Sequence, residues 1–403
     1  MSLPGAASIP RLFDASRSPN CEGLRVLALT EFVPSDSCGG SDHVVWQVYR
    51  RIAAWGASVT VVSCVPQGHD RVDETMAGVH WIGVPSWDVG RVIRAEATVS
   101  LPLVPEVFRA ARRLQPAVVH ANSLHFQSTV VGALVARRRR YPLVTTAHIA
   151  SLRHLAAPVR TAVGLYEQSV GRVVLGSSAH VIAVSASVRD HLRSLGVPES
   201  KITVVPNGVD TSDFRPRARH AANAVPRVAF VGRIIPNKGP DILVRALADL
   251  ARTGVAFDAV IVGEGPSRRA LEKEVVDRGL GDRVKLTGHV RDVASILGSV
   301  DVLVRPSLTE GMPLAVLEAM ASGVCVVASD VEGNNDLIEH ERNGLLFAAG
   351  HEHALADALR RALCDAPFRR QLASRALSTA ASFSWDACAA STAAVLATAV
   401  SKG

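Results

Sequence analysis

Two glutamates eight positions apart, Glu310 and Glu318, bracket the stretch Gly311-Met312-Pro313-Leu314 and the apolar run that follows it. Proline suits the first position of a helix, where its missing N–H would have no partner anyway. A loop therefore becomes a helix at Pro313. Unpaired backbone N–H groups and the partial positive charge of that end attract phosphate, which makes Gly311, Met312, Pro313 and Leu314 candidate donor-binding positions. Glu318 follows about 7 Å along the axis, at about 1.5 Å per residue. Carboxylates repel a diphosphate, so their useful task is to accept hydrogen bonds from hydroxyls: Glu310 from a sugar, Glu318 from a ribose diol. The plainer alternative is one glutamate that complements the helix dipole and another that is simply exposed.

A second constellation is Val231-Gly232-Arg233 followed by Lys238-Gly239, at the end of a buried strand pattern. In open parallel sheets ligands lie outside the carboxyl ends of the strands, so Arg233 and Lys238 would point into a crevice between domains. Two fixed cations neutralise a leaving diphosphate without a metal ion, and the chain has no Asp-x-Asp pair to hold one. Chance surface cations on a basic protein are the alternative reading. Gly39 and Gly40 precede an amphipathic helical pattern over 42–55 and would let backbone N–H groups approach a phosphate or sugar. They lack the G-x-G-x-x-G fingerprint of dinucleotide binding, and a plain tight turn explains them nearly as well. His120 and His148 stand at or just past strand ends. His148 could hydrogen-bond the transferred sugar or the acceptor hydroxyl, and an ordinary satisfied histidine is the alternative for both.

These residues need rigid elements to hold them. Short runs of Val, Ile and Leu alternate throughout with longer helical patterns, the signature of repeated βα units around parallel sheets. Strands are expected at 24–30, 58–63, 117–120, 143–146, 180–183 and 202–205. The pattern restarts at 227–232, 256–262, 283–287, 301–304 and 324–328. Pro206-Asn207-Gly208 and the polar stretch 215–224 mark a hinge. The expected division is a loose leader over 1–22, a first domain over 23–208, a second over 209–384 and a final Ala-rich helix over 385–403. A chain of 403 residues with 48% hydrophobic and 20% charged residues supports two large cores.

The formal charge of +7 favours anionic partners. Nucleic acid fits poorly, because aromatic residues make up only 4% of the chain and none interleave with a basic stretch. The clusters Arg109, Arg112, Arg113 and Arg137 to Arg140 close helical patterns, where dipole complementation accounts for them; weak peripheral contact with a membrane or a phosphorylated acceptor is the second reading. Six dispersed cysteines signal neither a disulfide framework nor a zinc site, and they read as reduced core thiols. The first 22 residues hold no apolar stretch of signal-peptide length. The expected location is cytoplasmic, with the inner membrane face as a peripheral option.

Taken in order, these motifs resemble glycosyltransferase family 4, the retaining enzymes of the GT-B architecture. The likeness runs from about Leu24 to Trp385. It includes the early Gly-Gly loop, Pro206-Asn207-Gly208-Val209-Asp210, Gly232-Arg233 with Lys238-Gly239, Gly263-Glu264-Gly265-Pro266, the paired glutamates, Asn343-Gly344-Leu345-Leu346 and Phe383-Ser384-Trp385. The resemblance implies two doubly wound Rossmann-like domains facing an interdomain cleft, acceptor side first and nucleotide side second, with the last helix crossing back to the first domain. It implies transfer of a sugar from a nucleoside diphosphate sugar, UDP slightly ahead of GDP, to an unidentified hydroxyl acceptor, with retention and with no cofactor or obligatory metal. By the same likeness Arg233 and Lys238 bind the diphosphate, Glu318 the ribose and Glu310 the sugar hydroxyls. Gly40 falls near the donor phosphates and His148 near the sugar.

Two positions depart from the family pattern. Asp42 stands where many members have Glu, and Glu332-Gly333-Asn334-Asn335-Asp336 replaces a more common Gly-Gly run ending in Glu. A nucleotide-sugar epimerase and a non-catalytic nucleotide-sugar-binding subunit are the competing functions.

Overall fold

The computed structural model describes residues 19–32, 40–66, 69–88, 98–148, 157–217 and 225–402. The chain forms two compact units. Gly208–Ser384 is one; the described residues up to Asn207, together with those from Trp385 onward, are the other.

Among the described residues the first unit holds ten strands: β1 (Arg25–Phe32), β2 (Ser58–Val65), β3 (Val72–Met76), β4 (Val79–Pro85), β5 (Trp87–Asp88), β6 (Thr98–Val99), β7 (Val118–Asn122), β8 (Leu143–Ala147), β9 (His180–Ala183) and β10 (Ile202–Val204). Eight of them form one sheet in the order β10-β9-β8-β7-β1-β2-β4-β3, parallel except for β3. β5 and β6 pair separately. The helices are α1 (Gly40–Ala54), α2 (Leu103–Leu114), α3 (Gln127–Arg139), α4 (Ala157–Tyr166), α5 (Arg172–Ser177) and α6 (Ala186–Ser194). A parallel strand covered on both faces must be apolar nearly throughout, and β1, β2, β7 and β8 are buried along almost their whole length.

The second unit repeats the plan. Its strands β11 (Arg227–Val231), β12 (Asp258–Val262), β13 (Val284–Gly288), β14 (Val302–Arg305), β15 (Cys325–Ser329) and β16 (Leu345–Phe347) form an all-parallel sheet in the order β13-β12-β11-β14-β15-β16. Its helices are α7 (Pro240–Arg252), α8 (Arg268–Asp277), α9 (Val293–Gly298), α10 (Leu314–Ala321), α11 (Glu352–Cys364) and α12 (Ala366–Ala380). The core is built from Phe230, Ile242, Leu247, Val304, Leu355 and their neighbours. In both sheets the strand order reverses beside the first strand of the unit, at β1/β7 and at β11/β14. Such a reversal leaves a crevice at the carboxyl ends of the two strands.

The final helix α13 (Trp385–Ser401) belongs to the first unit, where it packs along α1 and against β7, β8 and β9. Its buried residues are mostly small, among them Cys388, Ala389, Ala393 and Ala399, which permits close approach; Trp385 anchors its start. Arg51 Nε donates to Asp386 at 2.6 Å.

The sequence pattern leaves out β3, β4, β5, β6 and β16. β3 is an exposed edge carrying Asp73 and Glu74, so no apolar run marks it. The left-handed Ala77 and Gly78 turn it back onto β4. One cysteine expectation needs correction: Cys21, Cys64, Cys325 and Cys388 are buried free thiols, but Cys364 at the end of α11 is exposed. Cys38, most of the expected leader and part of the polar linker lie outside the described residues. No helix among the described residues is long and apolar enough to cross a membrane.

Candidate functional site

The second unit gathers its sequence-marked residues at the β11/β14 reversal. β11 ends at Val231 and the chain turns through Gly232 and Arg233 into a single 3-10 turn, Pro236–Lys238. Gly239 then starts α7 in a left-handed conformation, φ +66°, and a Cβ there would lie 2.1 Å from the Pro306 carbonyl oxygen. Only glycine lets the Lys238 turn sit this close to the end of β14.

Lys238 Nζ donates to Glu310 Oε2 at 2.9 Å. The other oxygen, Oε1, accepts from Arg305 Nε at 2.6 Å and from Ser307 Oγ at 2.6 Å. Arg305 also donates to the Val231 carbonyl at 2.9 Å, which ties the ends of β11 and β14 together. Burial would raise the Glu310 carboxyl, but the charges of Arg305 and Lys238, with the hydrogen bonds from Ser307 and Arg305, outweigh it and hold the group down at about 2. Burial lowers the Lys238 ammonium below its ordinary value, opposed by Glu310 and reinforced by Arg305. Glu310 is thus a buried ionic hub, neither a simple dipole partner nor a free carboxylate. Arg233 is exposed at the same turn.

Arg305 was missed by sequence reasoning. The available signal was a cation closing an otherwise apolar strand, Val302-Leu303-Val304-Arg305, directly before Pro306.

α10 starts at Leu314, with Pro313 as its N-cap residue, one position earlier in role than the sequence reading assigned. No side chain among the described residues caps the helix, so its first N–H groups are open to a ligand. Gly311, Met312 and Pro313 are buried in the loop beneath it, and Leu314 is half-buried. Glu318 lies one turn further on, half-buried, with no side-chain hydrogen bond among the described residues. Burial pushes its carboxyl up to about 7, with Arg305 pulling in the other direction. The divergent loop 332–336 packs under this region. Gly333, φ +83°, would place a Cβ 2.7 Å from the carbonyl oxygens of both Glu310 and Gly311. Asn334 Oδ1 and Asp336 Oδ2 in that loop, and Asn237 Oδ1 in the 3-10 turn, are buried with no hydrogen-bond partner among the described residues, acceptors that a hydroxylated ligand can satisfy.

In the first unit Gly40 is the first residue of α1, and Gly39 lies outside the described residues. Asp42 in the first turn is buried, accepts from Thr30 Oγ1 at 3.0 Å, and is pushed up to about 7 by burial. His120 is hydrogen-bonded through both nitrogens, to Tyr49 and to Thr146. It is a satisfied interior histidine, held down at about 3 by burial. His148, just past β8, differs: its buried Nε2 has no partner among the described residues, and burial holds it neutral, with a pKa of about 4. A cavity of about 20 Å³, room for one water, lies against His148, Tyr49, His120 and Thr392. Arg112 and Arg113 stand in the last turn of α2 and Arg137 to Arg139 in that of α3, whose left-handed cap is Arg140. Arg109 is instead paired with Glu106 one turn earlier.

Residues 38–213 match the family model described as Glycosyltransferase Family 4, and residues 225–365 match that for Glycosyl transferases group 1. A D-inositol 3-phosphate glycosyltransferase of Nocardia farcinica is 32% identical over 373 residues, 86% of this chain and 82% of that protein. A GDP-mannose-dependent alpha-(1-6)-phosphatidylinositol monomannoside mannosyltransferase of Mycobacterium tuberculosis is 30% identical, covering 85% of this chain and 89% of its own. Among solved structures, sucrose-phosphate synthase from Thermosynechococcus elongatus superposes with a TM-score of 0.77 at 23% identity, over 94% of this chain and all of that one. Anabaena Alr3699/HepE in complex with UDP-glucose gives 0.73 at 21%, over 93% of this chain and all of that one. The fold is GT-B, as the ordered motifs led one to expect.

Proposed function

We propose that this chain, which belongs to glycosyltransferase family 4, moves a sugar from a nucleoside diphosphate sugar to a hydroxyl acceptor with retention of configuration and without an obligatory metal ion. Glycosyl transfer from a nucleotide sugar is the activity of the family; retention, metal independence, donor base and acceptor are the finer reading. The observation that carries it is the convergence at one strand reversal of a half-buried ammonium, an exposed guanidinium, an uncapped helix start and a half-buried glutamate without a hydrogen bond.

In this reading Lys238 and Arg233 take the charge that develops on the leaving diphosphate, together with the N–H groups at the start of α10. Fixed cations in a partly buried site need no reorganisation when the bond breaks, which makes a bridging metal dispensable. Glu318 accepts from the ribose diol. Glu310 keeps one lone-pair position on Oε2 beyond its bond to Lys238, which can accept a sugar hydroxyl. His148, neutral and with an unpartnered Nε2, is proposed to hydrogen-bond the sugar.

UDP is placed ahead of GDP, supported by the structural relative that holds UDP-glucose; the GDP-mannose-dependent relative names the second donor to test. Two relatives are named for inositol phosphates or their lipid, so a cyclitol phosphate or its lipid conjugate heads the acceptor screen.

The test is incubation with UDP-glucose or GDP-mannose, with D-inositol 3-phosphate and a phosphatidylinositol glycoside as acceptors, in EDTA. The anomeric coupling of the product is read by NMR. An α-linked product from an α-configured donor supports the reading. An inverted product, or activity that appears only on adding a divalent metal, overturns it.

A further inference from the structure

At the amino ends of β14 and β15 the second unit holds a cavity of about 340 Å³, within the size range of small-molecule sites, lined among others by Arg217, Asp301, Ser322, Arg369 and Arg370. We propose that this cavity binds a small phosphorylated anion, a free phosphate or a phosphomonoester, at a site separate from the donor diphosphate.

Arg369 is only 8% exposed. Its NH1 donates to the carbonyls of Ala362 at 2.7 Å and Leu363 at 3.2 Å, and its NH2 stands 3.6 Å from Asp301 Oδ1. Its Nε–H has no acceptor among the described residues. Ser322 Oγ, also buried, has no partner either. Unmet buried donors are destabilising, so two of them in the lining of one cavity point to a ligand that accepts hydrogen bonds.

The charge balance gives the ligand its sign. Arg217 and Arg370 are exposed at the cavity and pair with no carboxylate among the described residues. The single acid in the lining among the described residues, Asp301, already accepts from the Arg227 N–H at 2.9 Å and faces Arg369. Three guanidinium groups therefore stand against one carboxylate. α9 and α10 both end beside the cavity, and each carboxyl end carries about half a negative charge. That opposes an anion but does not cancel the cationic excess. Planar guanidinium forks match phosphate oxygens in geometry as well as in charge. The wall made by Pro216 and Arg217 fits closely: a Cβ on Gly323 would meet Pro216 at 3.3 Å, and one on Gly298 would meet Arg217 at 2.7 Å.

The donor residues lie at the other ends of the same elements. β14 runs from beside Asp301 to Arg305, and α10 from the Pro313 loop to Ser322. Eight helical residues at about 1.5 Å each separate the two ends by about 12 Å. A single phosphate cannot touch both sites.

The experiment is calorimetric titration of the full chain with inorganic phosphate and, separately, with glycerol 3-phosphate. It is repeated with saturating nucleoside diphosphate, in Lys238→Ala, and in the double variant Arg217→Ala/Arg370→Ala. Binding of one phosphate compound is expected to persist in the presence of nucleotide and in Lys238→Ala, and to weaken at least about tenfold in the double variant, whose melting temperature and nucleotide affinity stay unchanged. Preference between the two titrants separates a free phosphate from a phosphomonoester. Binding that nucleotide displaces completely, that survives the double substitution, or that is absent for both titrants overturns the proposal. Lys238→Ala keeps this result separate from any failure of the donor reading.

Discussion

Lys238 and Glu310 are 72 positions apart, yet their side chains meet at 2.9 Å across the ends of β11 and β14. The contact exists because Gly239 lets the Lys238 turn lie against Pro306 and because Arg305 fixes Glu310 from the other side. Without a donor the ammonium is held by the carboxylate. On the proposed function, an arriving diphosphate would find a cation already in place and already desolvated on one side. Preorganisation of this kind concentrates catalytic benefit in the step where charge appears on the leaving group.

Lys238→Ala and Arg233→Ala are each expected to lower kcat by about 100-fold or more with folding intact, since each removes charge stabilisation from the leaving diphosphate. Steady-state kinetics with the best donor in EDTA, alongside circular dichroism, decide the matter. Near-wild-type turnover in both variants would place the diphosphate elsewhere.

Arg305→Ala leaves Glu310 buried with one cation fewer, and breaking a buried ion pair from one side costs about 3–5 kcal/mol. The wild-type carboxyl sits at about 2 against a usual 4.5, so its contribution is present above pH 4.5 and is lost as pH falls from there towards 2. In Arg305→Ala the folded-state carboxyl lies closer to its ordinary value, so that acid loss is expected to be smaller and to end at higher pH. Adding Glu310→Gln restores part of the stability, which thermal unfolding between about pH 2 and 8 measures. An unaltered acid limb would mean that Arg305 does not carry the compensation.

Gly333→Ala tests whether the loop after β15 supports the donor loop. A methyl 2.7 Å from two carbonyl oxygens, on a backbone at φ +83°, must displace the Glu310–Gly311 segment. The expected result is a donor KM raised several-fold or more with the global fold kept. Unchanged donor kinetics would mean the contact is relieved without moving that loop.

The sequence made the parallel strands legible, because burial on both faces demands the continuous apolar runs of Val26 to Leu29 or Val326 to Ala328. It hid β3, where an exposed edge carries acidic residues, and β16, three residues long. Arg233, Lys238, Glu310 and Glu318 stood out because their spacing around glycine and proline was itself a local signal. Arg305 and the pairing of Lys238 with Glu310 did not, since contacts between chain-distant residues have no local pattern. The orphaned acceptors of Asn237, Asn334 and Asp336 are likewise properties of packing alone.

Glu318 separates stability from binding. Burial raises its carboxyl from 4.5 to about 7, so between those values the folded chain keeps a proton that the unfolded chain has lost. Stability therefore falls as pH rises through that window, and above it the protein carries a half-buried charge that Arg305 offsets only in part. Glu318→Gln removes the penalty while keeping the shape. Its melting temperature at pH 8 is expected to exceed that of the wild type, with a flatter slope between pH 5 and 7. The ribose reading demands the opposite sign for ligand affinity, because an amide offers one acceptor oxygen where a carboxylate offers two. Nucleoside diphosphate binding should weaken by about 1–3 kcal/mol at pH 8, where the wild-type group is ionised. The difference between variant and wild type should shrink towards pH 6, a comparison in which titration of the nucleotide's own phosphate cancels. A residue with a purely structural role would lose stability on substitution and leave affinity alone. Calorimetry at three pH values with paired melting curves distinguishes the cases; unchanged affinity, or a lower melting temperature at pH 8, would remove Glu318 from the ribose site.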